Sequence, residues 1–155
     1  MGKKAAPHAP AIHNRKAAHR YELLDKLECG IMLTGTEVKS LRGGQASLDE
    51  AFARLRDGEL WLIGMHIAPY EAGNVFNHDP LRLRKLLARR SEIAKIEPKL
   101  TLRGLTLVPV KVYFNERGLV KVQIALARGK AKQDKREDIK TRDARRDMER
   151  AMRRR

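Results

Sequence analysis

Two stretches in the second half of the chain alternate apolar and polar side chains. Val108, Val110, Val112 and Phe114 share one face of residues 105–114, and Val120, Val122, Ile124 and Leu126 share one face of residues 119–127. A period of two belongs to a strand buried on one side, so Asn115-Glu116-Arg117-Gly118 reads as the turn of a long hairpin. A second hairpin is predicted over residues 51–56 and 59–67, because Asp57-Gly58 readily takes the positive φ angles of a two-residue turn. Its second strand would place Trp61, Ile63, Met65 and Ile67 on one face. Residues 21–34 mix leucines with acids and one glycine, and are read as one or two strands around Glu28-Cys29-Gly30.

Helical signals separate these strands. Residues 36–44 begin with a hydroxyl and an acid and end in cations and glycines, the polarity of a short helix. Asp79-Pro80 has the chemistry of a helix start, and the following residues 81–90 place Leu83, Leu86 and Leu87 on one stripe and Arg82, Lys85 and Arg89 on another. Ser91-Glu92 restarts a second helix that should stop before Pro98. The predicted body is therefore mainly β, with two or three flanking helices. A closed antiparallel barrel is the economical way for so few strands to hide their edges.

Charge divides the chain into three parts. The 155 residues carry 34 Lys+Arg against 19 Asp+Glu, a formal charge of +15. Residues 1–20 contribute +5 and residues 128–155 contribute +7, while the 107 residues between contribute only +3. The expected organisation is a flexible basic N-terminal arm over 1–20, a nearly balanced body over 21–127, and a basic tail over 128–155 that is disordered alone. Asp138 with Arg142 and Glu149 with Arg153 stand four apart in that tail, so it should become helical where a negatively charged channel offsets its charge. A permanently disordered solubility tail is the plainer alternative.

A cation of this strength seeks polyanions. One cysteine, Cys29, builds neither a disulfide framework nor a zinc site, no apolar run approaches a membrane span, and a cytoplasmic protein without metal or cofactor is expected. A membrane-surface role is disfavoured because a tail helix would lack a broad apolar face. Catalysis finds little support: His66 or His78 would serve a ribonuclease as acid or base, but no phosphate loop or nucleophile–base spacing accompanies them. A small protein packed on ribosomal RNA remains the main alternative to a specific RNA binder.

Four strings in order narrow the choice. Glu28-Cys29-Gly30-Ile31, Glu37-Val38-Lys39-Ser40-Leu41-Arg42, Asp79-Pro80 with Arg82-Leu83-Arg84-Lys85-Leu86-Leu87, and Gly129-Lys130 followed by Asp134-Lys135-Arg136 closely resemble the signature segments of the SmpB family, from about Asn14 to Lys140. The resemblance implies an oligonucleotide-binding (OB) barrel with a basic tail. It also implies binding to the tRNA-like domain of transfer-messenger RNA (SsrA RNA) and its delivery to stalled ribosomes for trans-translation, without enzymatic activity. Alanyl-tRNA synthetase and the tRNA-delivering elongation factor are implied as indirect partners, and a monomer is expected.

By the same resemblance, Asn14, Glu28, Arg42, Arg82, Lys85 and Leu87 belong to the surface facing the tRNA-like domain. Glu28 is the informative member, because a carboxylate repels phosphate and accepts hydrogen bonds only from base or 2′-hydroxyl donors. Leu87 suits core and RNA contact equally. Lys130, Lys132, Gln133, Asp134, Lys135, Arg136, Lys140 and Arg142 of the tail would reach the small-subunit decoding site and mRNA channel. The chain departs from the family pattern at Ala131, where lysine is usual, and at Gln133, where His or Tyr is frequent, so stacking of a ring there is in doubt. Ala88 replaces a repeated leucine, a small loss of volume. Trp61, Tyr70, Tyr113 and Phe114 are expected to be buried before they are expected to stack on bases.

Overall fold

Alternation between inward apolar and outward polar residues dictates most of the architecture. The structure, a computed structural model, describes residues 9–101, 105–130 and 132–153. In chain order its elements are β1 (Ile12–His13), α1 (Ala17–Arg20), β2 (Tyr21–Ile31), α2 (Gly35–Arg42), β3 (Ala46–Ser47), β4 (Phe52–Arg56), β5 (Glu59–Ile63) and β6 (His66–Ile67). A 3₁₀ turn (Glu71–Phe76) follows, then β7 (Arg84–Leu87), α3 (Arg90–Leu100), β8 (Leu105–Phe114), β9 (Val120–Gly129) and α4 (Lys132–Arg153). The main sheet is antiparallel in the order β1-β8-β4-β5-β7-β2-β9, and β8 also pairs with β9, so six strands close into a ring. The protein is mainly β, as its patterning predicts.

The ring interior is filled from its strands and from two helices. Leu60, Leu62, Leu86, Leu107, Val112, Val122, Ile124 and Leu126 point inward, while Leu41 of α2 and Ile96 of α3 join the same cluster. Outside the ring, α1 lays Ala17 over Val108 and Ala127, covering one part of the β2-β9-β8 face. This is why β9 is buried on both faces near its end: Ala125 and Ala127 are as inaccessible as Ile124 and Leu126.

Both predicted hairpins are present. Asp57 and Gly58 have φ of 52° and 75° at the β4–β5 turn, and Gly118 has φ of 77° in the β8–β9 turn. There Asn115 Oδ1 accepts the amides of Arg117 and Leu119. Residues 21–31 form one continuous strand, with a register shift between Leu23 and Lys26. Helix α2 is capped reciprocally by Thr34 and Glu37.

The arm expected to be flexible over 1–20 is tied down from β1 onward, since Ile12–His13 pair with β8 and Ala17 is buried against Val108 and Ala127. The register shift between Pro109 and Lys111 also puts Val108 on the opposite face from Val112. Three further sequence readings are corrected. Residues 81–90 are not a helix: Asp79 caps only a turn, accepting the Leu81 amide at 2.9 Å, and 84–87 form β7 in the middle of the sheet. The helical stripe misled because an inward position of this strand carries a charge. Arg84 and Leu86 point inward, whereas Lys85 and Leu87 point outward. In β5 the inward residues are Leu60 and Leu62, not Trp61 and Ile63. Gly64, at φ 79°, then resets the parity so that Met65 and Ile67 are buried after it. A Cβ at Gly64 would lie 2.6 Å from the Glu50 carbonyl oxygen, so glycine is required there. The third correction is the end of α3, which continues through Pro98 to Leu100; the Thr101 hydroxyl donates to the Pro98 carbonyl at 2.6 Å.

Arg84 explains how a charge enters the core. Its side chain and that of Glu37 are both 0% exposed, its Nε binds Glu37 Oε2, and Nη1 donates to the Met65 carbonyl at 2.7 Å. Arg82 Nη2 holds the other carboxylate oxygen at 2.5 Å, and the Thr34 amide donates to the same oxygen at 2.9 Å. Burial alone would raise the pKa of Glu37, but bonds from Arg82, Thr34 and Arg84 outweigh it and leave the group below its ordinary value of 4.5. The resulting stability is complete above the unfolded value and is lost as pH falls through the folded one. Glu37→Gln should cost about 3–5 kcal/mol in urea unfolding, because Arg84 would be buried without a counter-ion. It should also flatten the loss of stability that the parent shows below about pH 4.5.

Candidate nucleic-acid interface

Directly opposed residues on neighbouring strands project to the same side of a sheet. Next to the patch covered by α1, the registers place two rows of residues on the open outer face. The first row is His13 (β1), Lys111 (β8), Gln123 (β9) and Glu28 (β2). In the second row Tyr113 opposes Lys121, Lys121 opposes Gly30, and Gly30 opposes Leu87 of β7. Lys85 stands on the same side of β7, opposite Trp61.

Glu28, Lys85 and Leu87, assigned to one RNA-facing surface by resemblance, are thus on one face of one sheet. Glu28 is exposed, and Leu87 is 48% exposed, which takes it out of the core. Gly30 makes room for Leu87: a Cβ on Gly30 would come within 3.3 Å of the Leu87 Cβ. Lys85 Nζ is 2.9 Å from Glu59 Oε1, so its charge is partly neutralised at rest.

The other expected members lie elsewhere or are occupied. Asn14 fastens β1 to β8: its amide donates to the Val110 carbonyl, and its Nδ2 donates to the Pro109 carbonyl at 2.9 Å, where the β8 register shifts. Arg82 spends its guanidinium on Glu37 and on the Met32 and Leu83 carbonyls, so its first role is to brace the core pair. Arg42 is exposed at the end of α2 and on no strand of the outer face.

The tail begins on the body. Strand β9 extends to Gly129, and Lys130 donates from its amide to the Arg20 carbonyl and from Nζ to the Ala18 carbonyl at 2.9 Å. Lys140 and Arg142 are exposed on α4, which is helical in this structure through Arg153. Lys132, Gln133, Asp134, Lys135 and Arg136 fall in the first turns of α4, but their side chains lie outside the described residues, as does Ala131 altogether.

Lys111, Lys121 and Gln123 were not singled out from the sequence, and Tyr113 was considered only as a buried or stacking ring. The signal was available: they are the polar half of the alternation whose apolar half predicted the hairpin, and its turn fixes which of them face each other. Tyr113, Trp61, Tyr70 and Phe114 are half-buried, and Lys111 Nζ sits 4.9 Å from the centroid of the Tyr113 ring. Burial, together with a hydrogen bond to Glu28 and its negative charge, pushes the Tyr113 phenol up to about 12.

The groups considered for catalysis are committed or isolated. His78 is 9% exposed; its Nε2 meets the Ile67 carbonyl at 2.9 Å and must donate, and its Nδ1 is hydrogen-bonded with the Thr36 hydroxyl at 2.9 Å. His66 is exposed in β6. Among the described residues, no group of three or more His, Cys, Asp or Glu could hold a metal ion, and no helix is long and apolar enough to cross a membrane. Cys29 is 1% exposed, and burial followed by the charges of Glu92 and Glu28 pushes its thiol up to about 12. Iodoacetamide at about pH 8 should therefore leave Cys29 unmodified in the native protein and alkylate it fully in urea; rapid native modification would contradict this geometry.

Comparison with known proteins places the chain among similar ones. Residues 11–154 match the family model described as SmpB protein. The SsrA-binding protein of Desulforamulus reducens is 57% identical over 142 residues, covering 92% of this chain and 88% of that protein. The SsrA-binding protein of Syntrophomonas wolfei is 51% identical over 155 residues, covering 100% of this chain and 98% of its own. A solved chain from work described as "tmRNA-SmpB: a journey to the center of the bacterial ribosome" superposes with a TM-score of 0.68 at 51% identity, covering 84% of this chain and 95% of that one.

Proposed function

The chain belongs to the SmpB family, and from that premise we propose how its surface works. It is an RNA-binding protein: it binds the tRNA-like domain of transfer-messenger RNA and delivers that RNA to stalled ribosomes, where trans-translation rescues the ribosome and tags the nascent peptide. The observation that carries the assignment of the binding face is the convergence of Glu28, Lys85 and Leu87 on one open side of the sheet.

In this reading the ring is a closed barrel of the OB type, and its outer β8-β9-β2-β7 face meets the tRNA-like domain. Folded RNA is recognised through shape, phosphates and 2′-hydroxyls, which suits a face of mixed charge. Lys85 and Lys121 meet phosphates, Leu87 packs on sugar or base, and Glu28 accepts from base or 2′-hydroxyl donors. Asn14 and Arg82 act by holding β1 and β7 in place, and Arg42 adds charge at the rim. No step of this function requires catalysis, metal or cofactor. It operates in the cytoplasm as a monomer, with alanyl-tRNA synthetase and the elongation factor acting on the same complex.

The tail, expected to be disordered alone, is helical over Lys132–Arg153 here and enters the ribosome as that helix. There Lys130, Lys132, Gln133, Asp134, Lys135, Arg136, Lys140 and Arg142 face the decoding site and the mRNA channel. Gln133 serves by hydrogen bonding, since it has no ring to stack.

Binding to an isolated tRNA-like domain, in competition with elongator tRNA and an unrelated duplex across a salt series, tests the face. Preference for the tRNA-like domain should persist at physiological salt, and Glu28→Ala should reduce it with little change in salt slope. Equal binding to all three RNAs, released together by salt, would overturn the assignment. Deletion after Lys132 should spare this binding and abolish tagging on stalled ribosomes; intact tagging would remove the tail from the mechanism.

A further inference from the structure

We propose that Lys85 and Glu59 together form a ribose–phosphate subsite: the ammonium takes a phosphate oxygen, and the free carboxylate oxygen takes the neighbouring 2′-hydroxyl. The proposal rests on the reading that Lys85 and Leu87 face RNA, and it adds Glu59 as the residue that tells RNA from DNA there. Its geometric basis is the β5–β7 pairing. Trp61 opposes Lys85 and Leu60 opposes Leu86, so Glu59, one residue before Leu60, and Leu87, one residue after Leu86, stand together at the end of the ladder. Leu60 and Leu62 are fully buried, which turns Glu59 to the outer side with Lys85 and Leu87.

The pair itself is only half used. Lys85 Nζ is 2.9 Å from Glu59 Oε1 and spends one of its three N–H groups there. Glu59 Oε2 has no partner among the described residues. Arg56 opposes Glu59 across the β4–β5 hairpin, yet makes no ion pair with it within 4.0 Å. Two donors and one acceptor are thus held side by side on side chains that are 33% and 46% exposed. A nucleotide of RNA offers the complement, phosphate oxygens that only accept and a 2′-hydroxyl that donates. DNA offers the phosphate alone. Leu87, 48% exposed beside the pair, lines with Ala88 and Ile93 the same groove of about 560 Å³ against α3, so a sugar held there has an apolar wall to rest on.

Electrostatics gives this subsite a distinctive signature. On a chain of +15, removing an acid should by charge alone tighten binding to every polyanion. A carboxylate that accepts a hydrogen bond from the ligand behaves otherwise: its removal weakens RNA and tightens DNA. The opposite signs separate an acceptor from a group that only repels phosphate.

The test uses the full chain at fixed salt, with the isolated tRNA-like domain and a DNA strand of the same sequence as probes. Glu59→Ala should weaken binding to the RNA about three- to tenfold, as expected for one hydrogen bond, and tighten binding to the DNA, with thermal stability unchanged. Lys85→Ala should weaken both. Random 2′-deoxy substitution in the tRNA-like domain should reveal at least one nucleotide whose hydroxyl matters to the parent and no longer matters to Glu59→Ala. Tighter binding of both probes by Glu59→Ala would overturn the subsite. Parent-like RNA binding by Glu59→Ala while Lys85→Ala binds weakly would also overturn it, and would leave the RNA-facing reading of Lys85 intact. An unchanged 2′-deoxy pattern would overturn it too, by assigning the donor to a base. Parent-like RNA binding by Lys85→Ala would instead remove Lys85 from the interface, and the subsite with it.

Discussion

A buried ion pair sets the register on which the open outer face of the sheet depends. Glu37 of α2 and Arg84 of β7 are fully enclosed, and Arg84 also reaches the Met65 and Pro80 carbonyls. One guanidinium thereby joins the helix that fills an end of the ring, the chain leaving β5 and the turn leading into β7. Since side chains alternate along a strand, fixing Arg84 inward forces Lys85 and Leu87 outward. A one-residue slip would put Lys85 in the core and turn Arg84 to solvent. Replacing such a pair with apolar residues is often neutral for stability, so specification of register is the better account of its presence here.

In the proposed function the outer face and the basic ends divide the work of binding. The ends carry most of the excess charge and supply attraction that falls with salt. The face carries alternating signs: Glu28 beside Lys111 and Lys121, and Lys85 beside Glu59. A surface of that kind gains little from phosphate alone and discriminates by where donors and acceptors fall. Asn14 belongs to this arrangement indirectly, by fixing β1 against the irregular part of β8.

Much of this was legible in the residues. The two hairpins followed from alternation and from Asp57-Gly58 and Asn115–Gly118, and the short helix read over 36–44 is present over 35–42, with Thr34 in place of Thr36 at its cap. The segment around Lys85 was misread because hydrophobic periodicity assumes that inward positions are apolar, and Arg84 breaks that assumption by bringing its counter-ion from 47 residues away. Strand β5 was misread for a different reason: Gly64 changes the parity, and no single-residue pattern announces where a chain will pass against the Glu50 carbonyl. The family strings were recognisable before their division of labour was. Arg82 and Arg84 serve mainly the core and Lys85 and Leu87 the surface, a distinction that only the pairing of β7 between β5 and β2 reveals.

Chemical footprinting of the full chain with and without the isolated tRNA-like domain, read by mass spectrometry, tests the central claim most directly. Lysine acylation and carboxyl labelling should show protection of Lys85, Lys111, Lys121 and Glu28, with Lys95 and Lys99 of α3 unchanged. Protection confined to lysines of the two basic ends, with the outer β8-β9-β2-β7 face as reactive as in the free protein, would contradict it.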